Sequence, residues 1–327
     1  MSWEQALKEC AALVDHELPR ALQDVEPASL REAVLYYPSL GGKRLRPALA
    51  MVACEAAGGK REAALQAGIA AELVHNFSLV HDDIMDRDEQ RRGSPSAHVK
   101  FGEAAAILAG DALFAEAFEV IGLGSNPPAV KAAMVHELAV ASRVLCEGQQ
   151  RDMELERAAH ATAEDYFRMI HGKTGRLFEC ATRLGGLAAQ ASPERVEALA
   201  LYGKLLGRAF QVRDDVLDLV GDPEHRGKPY ASDVRRGKRT ILYLLAHDRA
   251  RGADADTLRA VVGNLQASRA DLERAVAVYR STGAVDDAQR MALDAAREAQ
   301  AALAALPSSN ARGALEALAK FSAERRK

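Results

Sequence analysis

The chain has 327 residues, 48% hydrophobic, 5% aromatic and 27% charged, with a net charge of −3. A balance so near neutral gives no bulk field for nucleic acid or an anionic membrane surface, and no run of about 18 apolar residues offers a transmembrane helix. Ala, Leu, Glu and Arg are abundant throughout and no long alternating β-branched run occurs, so the chain reads as all-α, and as one domain over 1–327 despite a length prior of about two.

In chain order, residues 3–23 read as an amphipathic helix without the basic and apolar regions of a signal peptide. A second helix runs from Ser29 to about Pro38, and the Gly41-Gly42 loop leads into a helix over Ala48–Ala57. The next spans about 61–87, followed by a loop over 88–97 and helices at 103–121, 129–157 and 163–190. Pro193 starts another helix, which reaches about 220. An irregular charged stretch, 221–238, follows, and the remainder is Ala-rich helix broken near Gly252 and over Pro307–Gly313. Cys10, Cys54, Cys146 and Cys180 are scattered with no C-x-x-C pair, so they read as reduced thiols of a cytoplasmic protein.

One acidic pattern occurs twice: Asp82-Asp83-Ile84-Met85-Asp86 and Asp214-Asp215-Val216-Leu217-Asp218. Helical periodicity puts Asp82 and Asp86 on one face, and likewise Asp214 and Asp218. Like charges at this spacing destabilise a helix, so something positive should offset them. A single copy reads equally as a solvated acidic face. Two copies, with Arg91-Arg92-Gly93 after the first and Lys228 and Lys238-Arg239 after the second, point to polyphosphate held through a hard cation such as Mg²⁺, with Mn²⁺ as a substitute.

Three further clusters carry chemistry. Gly42-Lys43-Arg44-Leu45-Arg46-Pro47 is not a Walker A loop; three cations at a helix start oppose the dipole, which an anionic ligand would relieve. His75 falls within about 20° of Asp82 on a helical wheel. Gln211 shares a face with Asp214, while Lys173-Thr174-Gly175 is weak alone.

Taken in order over roughly residues 40–245, these elements resemble the trans-isoprenyl diphosphate synthases, the head-to-tail polyprenyl synthetases, and most of all geranylgeranyl diphosphate synthases of archaeal type. The elements are Gly42–Pro47, Glu72–His75, Leu79–Asp86, Arg91–Gly93, Gly148-Gln149 with Asp152, Lys173-Thr174, Phe210–Asp218, Gly227-Lys228-Pro229 and Gly237–Thr240. The match departs at Tyr230-Ala231-Ser232-Asp233, where many members carry Gly-Gly-Asp.

The resemblance implies an isoprenoid synthase fold, a helical bundle of about ten or more helices around a central substrate cavity. It implies that Lys43, Arg46, His75 and Arg92 hold the diphosphate of isopentenyl diphosphate. Arg91, Lys173, Thr174, Gln211, Lys228 and Lys238 would hold that of the allylic substrate, namely dimethylallyl, geranyl or farnesyl diphosphate. Asp82, Asp86 and Asp214 would ligate Mg²⁺, with Asp83, Asp215 and Asp218 as further ligands or supports. It implies a homodimer. Phe77 and Ser78, five and four positions before Asp82, would set chain length. One bulky residue beside a small one resembles C20 synthases; C15 or longer products are the alternatives. A terpene cyclase would need N-D-x-x-S-x-x-x-E, which is absent. A non-catalytic partner subunit would lack aspartates or the Arg pair, and a metal phosphohydrolase would need ligands beyond His81-Asp82.

Overall fold

The computed structural model describes residues 3–158, 160–220 and 230–325. They are almost entirely helical, as the residues' intrinsic preferences dictate. In order come α1 (Trp3–Ala21), α2 (Ala28–Ser39), α3 (Leu45–Ala56), α4 (Leu65–Met85), α5 (Ala97–Phe101), α6 (Glu103–Leu123), α7 (Pro128–Arg157) and α8 (Ala163–Ile170). They continue with α9 (Arg176–Ala188), α10 (Pro193–Val220), α11 (Ser232–Arg236), α12 (Ile241–Arg249), α13 (Ala253–Val261), α14 (Arg269–Ser281), α15 (Ala284–Ala302) and α16 (Asn310–Glu324). The chain divides into two compact units. One comprises Met1–Ser142, Leu177–Gly203 and Ala302–Ala317; the other comprises Arg143–Arg176, Lys204–Ala301 and Leu318–Lys327.

In the first unit, α4 packs most extensively on α6 and then on α3. Its buried residues are mainly small and aliphatic, among them Ala67, Gly68, Ile69, Ala70, Ala71, Leu73 and Val74. Gly68 faces Pro47 of α3 so closely that a Cβ would lie 3.0 Å from the Pro47 Cα. α6 is mostly apolar, though it carries Glu103, Asp111, Glu116 and Glu119, and it leaves Ile107 and Leu108 exposed, at 40% and 58%. The second unit has its own core, with Tyr166, Val212, Val216, Ile241, Leu272 and Tyr279 near its centre. There α8 starts on a capping box between Thr162 and Asp165.

Four features differ from the sequence expectation. Residues 61–64 form a 3₁₀ turn, so α4 begins at Leu65. The helix expected over 163–190 is broken by a π-helical turn, His171–Gly175, between α8 and α9. The 88–97 loop contains a small antiparallel hairpin, β1 (Gln90–Arg91) with β2 (Ser94–Pro95), the one sheet among the described residues. Gly313 lies inside α16 and does not break it; an exposed helical glycine costs only about 1 kcal/mol. No helix among the described residues is long and apolar enough to cross a membrane.

Candidate active site

In the first unit the chain turns through Gly41, at φ 78°, and Arg44, at φ 44°, before α3. Arg44 is 5% exposed and staples this turn. Its Nε donates to Asp15 Oδ1 (2.8 Å), Nη1 to Glu72 Oε1 (3.1 Å) and Nη2 to the Pro38 carbonyl (2.5 Å). The middle cation of the basic cluster is thereby consumed internally. Its neighbours are not. Lys43 is exposed, and Lys43, Arg46 and Arg92 make no ion pair among the described residues. Arg46 stacks on the Phe178 ring at 4.9 Å, and its buried Nε has no hydrogen-bond partner.

Burial, together with the charge of Arg92, pushes the Arg46 pKa down to about 10. Burial also lowers that of Arg92, with Arg44 and Arg91 adding to the effect. The Arg92 Nη1 donates to the Gly41 carbonyl, and its guanidinium would lie 3.1 Å from a Cβ on Gly42, so glycine there admits the arginine. His75 is held well below its ordinary pKa by burial and by Arg46 and Arg92. Cations that depress one another mark a site short of negative charge, which an anion would satisfy.

The first acidic motif divides its labour. Asp83 is fully buried. It accepts hydrogen bonds from Tyr37 Oη and from the Nε and Nη2 of Arg91, the Nε bond at 3.1 Å. Burial works against the charge on Arg91, and Asp83 more than offsets it, so the Arg91 pKa is raised. Asp82 and Asp86 stay half-buried, one turn apart at the end of α4. Among the described residues no three His, Cys, Asp or Glu side chains form a metal cage. Two carboxylates one turn apart instead fit a cation that keeps waters and substrate phosphates around it, as Mg²⁺ does.

In the second unit α10 carries the second motif, and again one aspartate sinks. Asp215 is 6% exposed. It accepts from Tyr166 Oη (2.6 Å) and Gln211 Nε2 (2.9 Å), while Thr174 Oγ1 donates to Gln211 Oε1 (2.9 Å). Burial and the nearby Asp233 raise the Asp215 pKa. Asp218 takes the Ser232 hydroxyl (2.8 Å) and the Asp233 backbone N–H (3.1 Å), bracing the start of α11. Asp214 remains 41% exposed at its side chain and accepts from Arg325 Nη2. Arg325 lies over the Phe210 ring at 4.0 Å. Lys173 and Lys238 both meet Asp152, at 2.6 and 3.1 Å. Lys228, with Gly227 and Pro229, lies outside the described residues, as do Arg326 and Lys327.

Sequence reasoning missed Tyr37, Arg44 as a staple, Tyr166 and the Lys173–Asp152–Lys238 bridge. Phe77, proposed from sequence as a ruler, stacks against Phe114 of α6 (centroids 5.1 Å apart), and Phe114 stacks on Phe118 (5.1 Å). His81 fits under the pair, 4.8 Å from Phe77, because Gly110 has no Cβ to block it. Ser78 turns its hydroxyl back to the His75 carbonyl (2.8 Å).

The depressed His75 has a consequence for stability. An unfolded chain protonates histidine near pH 6.5, whereas the folded site resists the proton; His171, pushed down to about 4 by burial and by Lys204 and Arg176, does the same. Stability from these groups is present above about pH 6.5 and is lost as pH falls below it. Thermal melts of ligand-free protein from pH 7 to pH 5 should show a falling Tm, and His75→Gln should flatten part of that fall. An unchanged slope in the variant would count against a neutral His75.

The polyprenyl synthetase family model matches residues 27–279. A geranylgeranyl diphosphate synthase of Saccharolobus solfataricus is 42% identical, covering 91% of each chain. The crystal structure of geranylgeranyl pyrophosphate synthetase from Pyrococcus horikoshii superposes with a TM-score of 0.93 at 41% identity, covering 99% of this chain and 98% of that one. A Corynebacterium glutamicum geranylgeranyl pyrophosphate synthase, solved with isoprenyl diphosphate and magnesium, has a TM-score of 0.83 at 30% identity and covers 99% of both chains.

Proposed function

This chain belongs to the polyprenyl synthetase family, and on that premise we propose that it condenses isopentenyl diphosphate with allylic diphosphates, head to tail, to give geranylgeranyl diphosphate. It is a short-chain isoprenyl diphosphate synthase with the all-α fold of its relatives, and enzymes of this kind use a divalent metal. The observation that carries the reading is the set of unneutralised cations, Lys43, Arg46 and Arg92, in the same unit as the half-buried Asp82 and Asp86. We assign the two units to one catalytic domain over 1–327.

In this reading Lys43, Arg46, Arg92 and neutral His75 bind the diphosphate of isopentenyl diphosphate. Lys173, Thr174, Gln211, Lys228 and Lys238 bind that of the allylic substrate, with Arg91 oriented toward it by Asp83. Asp82, Asp86 and Asp214 are the ligands for Mg²⁺, and Asp83, Asp215 and Asp218 fix their surroundings. Bound Mg²⁺ would supply positive charge to the departing diphosphate. The barrier is charge separation, so the lysines and arginines accelerate ionisation by already standing where negative charge develops. The alkene of isopentenyl diphosphate then attacks the allylic cation, and the released diphosphate is basic enough to take the proton. A homodimer and a cytoplasmic setting belong to the same proposal; the apolar outer face of α6, with Ile107 and Leu108, is a surface that a second copy would cover.

The test is a product assay with Mg²⁺, labelled isopentenyl diphosphate and each allylic primer, resolving the dephosphorylated alcohols by length. A dominant C20 alcohol is expected. Failure to elongate any of the primers would overturn the reading and favour a non-catalytic partner subunit. In the same assay Phe77→Ala should lengthen the product beyond C20, but only modestly, because Phe114 and Phe118 stand next to the vacated space. A variant product no longer than wild type would remove Phe77 as the ruler.

A further inference from the structure

Asp152 has no role in the reading above, yet it joins the two lysines that the reading assigns to the allylic diphosphate. It sits on the buried face of α7, 7% exposed. Its Oδ2 accepts from Lys173 Nζ at 2.6 Å and from Lys238 Nζ at 3.1 Å. The lysines come from different segments, one in the π-turn and the other after α11. Lys238 also meets Glu156, one turn further along α7.

The approach is built into the backbone. Gly148, one helical turn before Asp152, lies against Gly172 and Lys173, and a Cβ on Gly148 would collide with the Lys173 amide. The π-turn can therefore press on α7 only because Gly148 and Gly172 carry no side chains, and that contact delivers Lys173 to Asp152. Gly237, at φ 75°, ends α11, and the Lys238 N–H returns to the Asp233 carbonyl at 2.9 Å, which delivers the second lysine.

A lysine ammonium is a point charge on a flexible four-carbon stem. Two of them held close repel each other and would splay apart without a counter-charge. Burial alone would raise the Asp152 pKa, but Lys173 and Lys238 outweigh it and hold the carboxyl below the usual range. The carboxylate is thus ionised, buried and shared. We propose that Asp152 is a positioning residue that gathers Lys173 and Lys238 into one preformed diphosphate clamp, specific to the allylic substrate. It acts through the lysines and does not itself touch substrate. The proposal rests on the synthase reading.

The experiment compares Asp152→Asn and Asp152→Glu with wild type in steady-state elongation, varying dimethylallyl diphosphate and isopentenyl diphosphate separately, with melting curves alongside. The amide keeps the size and loses the charge. Its KM for the allylic substrate should rise at least about tenfold, while KM for isopentenyl diphosphate stays within about twofold, because Asp152 meets none of Lys43, Arg46 or Arg92. The glutamate variant, which keeps the charge, should recover most of the loss.

Equal rises in both KM values, an unchanged allylic KM in Asp152→Asn, or a glutamate variant as impaired as the amide would each overturn the proposal. If Asp152→Asn does not fold, Asp152→Ser takes its place: a raised allylic KM with an unshifted isopentenyl KM supports the clamp, and a uniform loss or an unchanged allylic KM sinks it. If wild type elongates no primer, the synthase reading has failed instead. Calorimetric titration with inorganic pyrophosphate and Mg²⁺ then tests the clamp alone: at least about tenfold weaker binding in Asp152→Asn supports it, and equal binding overturns it.

Discussion

Asp82→Ala is expected to lower kcat/KM for elongation by about 10³-fold while leaving the fold as stable as wild type or slightly more so. The two halves of that expectation have one cause. Asp82 and Asp86 lie one turn apart at the C-terminal end of α4, where two like charges cost the helix about 0.2–0.5 kcal/mol in the absence of a cation. Alanine is the better helix former and removes the repulsion. What it also removes is one of only two half-buried carboxylates offered by this motif, because Asp83 is committed to Tyr37 and Arg91. With Asp82 gone, the proposed site keeps only Asp86 and Asp214 as carboxylate donors, and its hold on a hard cation weakens. Single-turnover elongation and a melting curve on the same preparation check both halves. A variant that keeps wild-type turnover would remove Asp82 from the metal site, and a large fall in Tm would make its role structural.

The adjacent aspartate should behave in the opposite way. Asp83→Ala is expected to cost about 3–5 kcal/mol, a fall in Tm on the order of 10 °C. Asp83 is fully buried and serves three donors at once, and Tyr37 Oη in turn accepts the Ala97 amide at 3.1 Å. Removing the carboxylate leaves the Arg91 guanidinium uncompensated and the Tyr37 hydroxyl without its acceptor; both costs are paid in the folded state alone. Activity should fall too, since Arg91 loses what aims it. Calorimetry on Asp83→Ala and on the double variant with Arg91→Ala tests the pairing. If the double variant is no more stable than the single one, the unpaired Arg91 was not the source of the penalty.

The contrast between neighbours shows where sequence reading stopped. The spacing of Asp82 and Asp86, the break at Gly122–Pro128 and the start of a helix at Pro193 follow from local periodicity and turn chemistry, and the helices lie within a few residues of where those rules place them. The order of the basic and acidic elements along the chain was enough to point to the family. The distinction between Arg44 and Arg46 was not visible. Both are arginines in one basic run, but one is spent on Asp15, Glu72 and Pro38 while the other keeps a buried Nε without a partner. In the sequence Asp152 is only one position of the Gly148-Gln149 element.

The all-α class, the two carboxylate motifs and the cationic elements that accompany them are legible in the chain alone, because each is a property of residues within a few turns of one another. Only the packing of distant segments sets which member of each motif is buried and held by hydrogen bonds, as Asp83 and Asp215 are, and which stays partly exposed. Asp83 owes its state to Tyr37, 46 residues away, and Asp214 meets Arg325, 111 residues away. Asp152 owes its ionisation to lysines 21 and 86 residues away. A helix face can be read from a period of 3.6, but the partner that neutralises a side chain on that face is set by which distant segment packs against it.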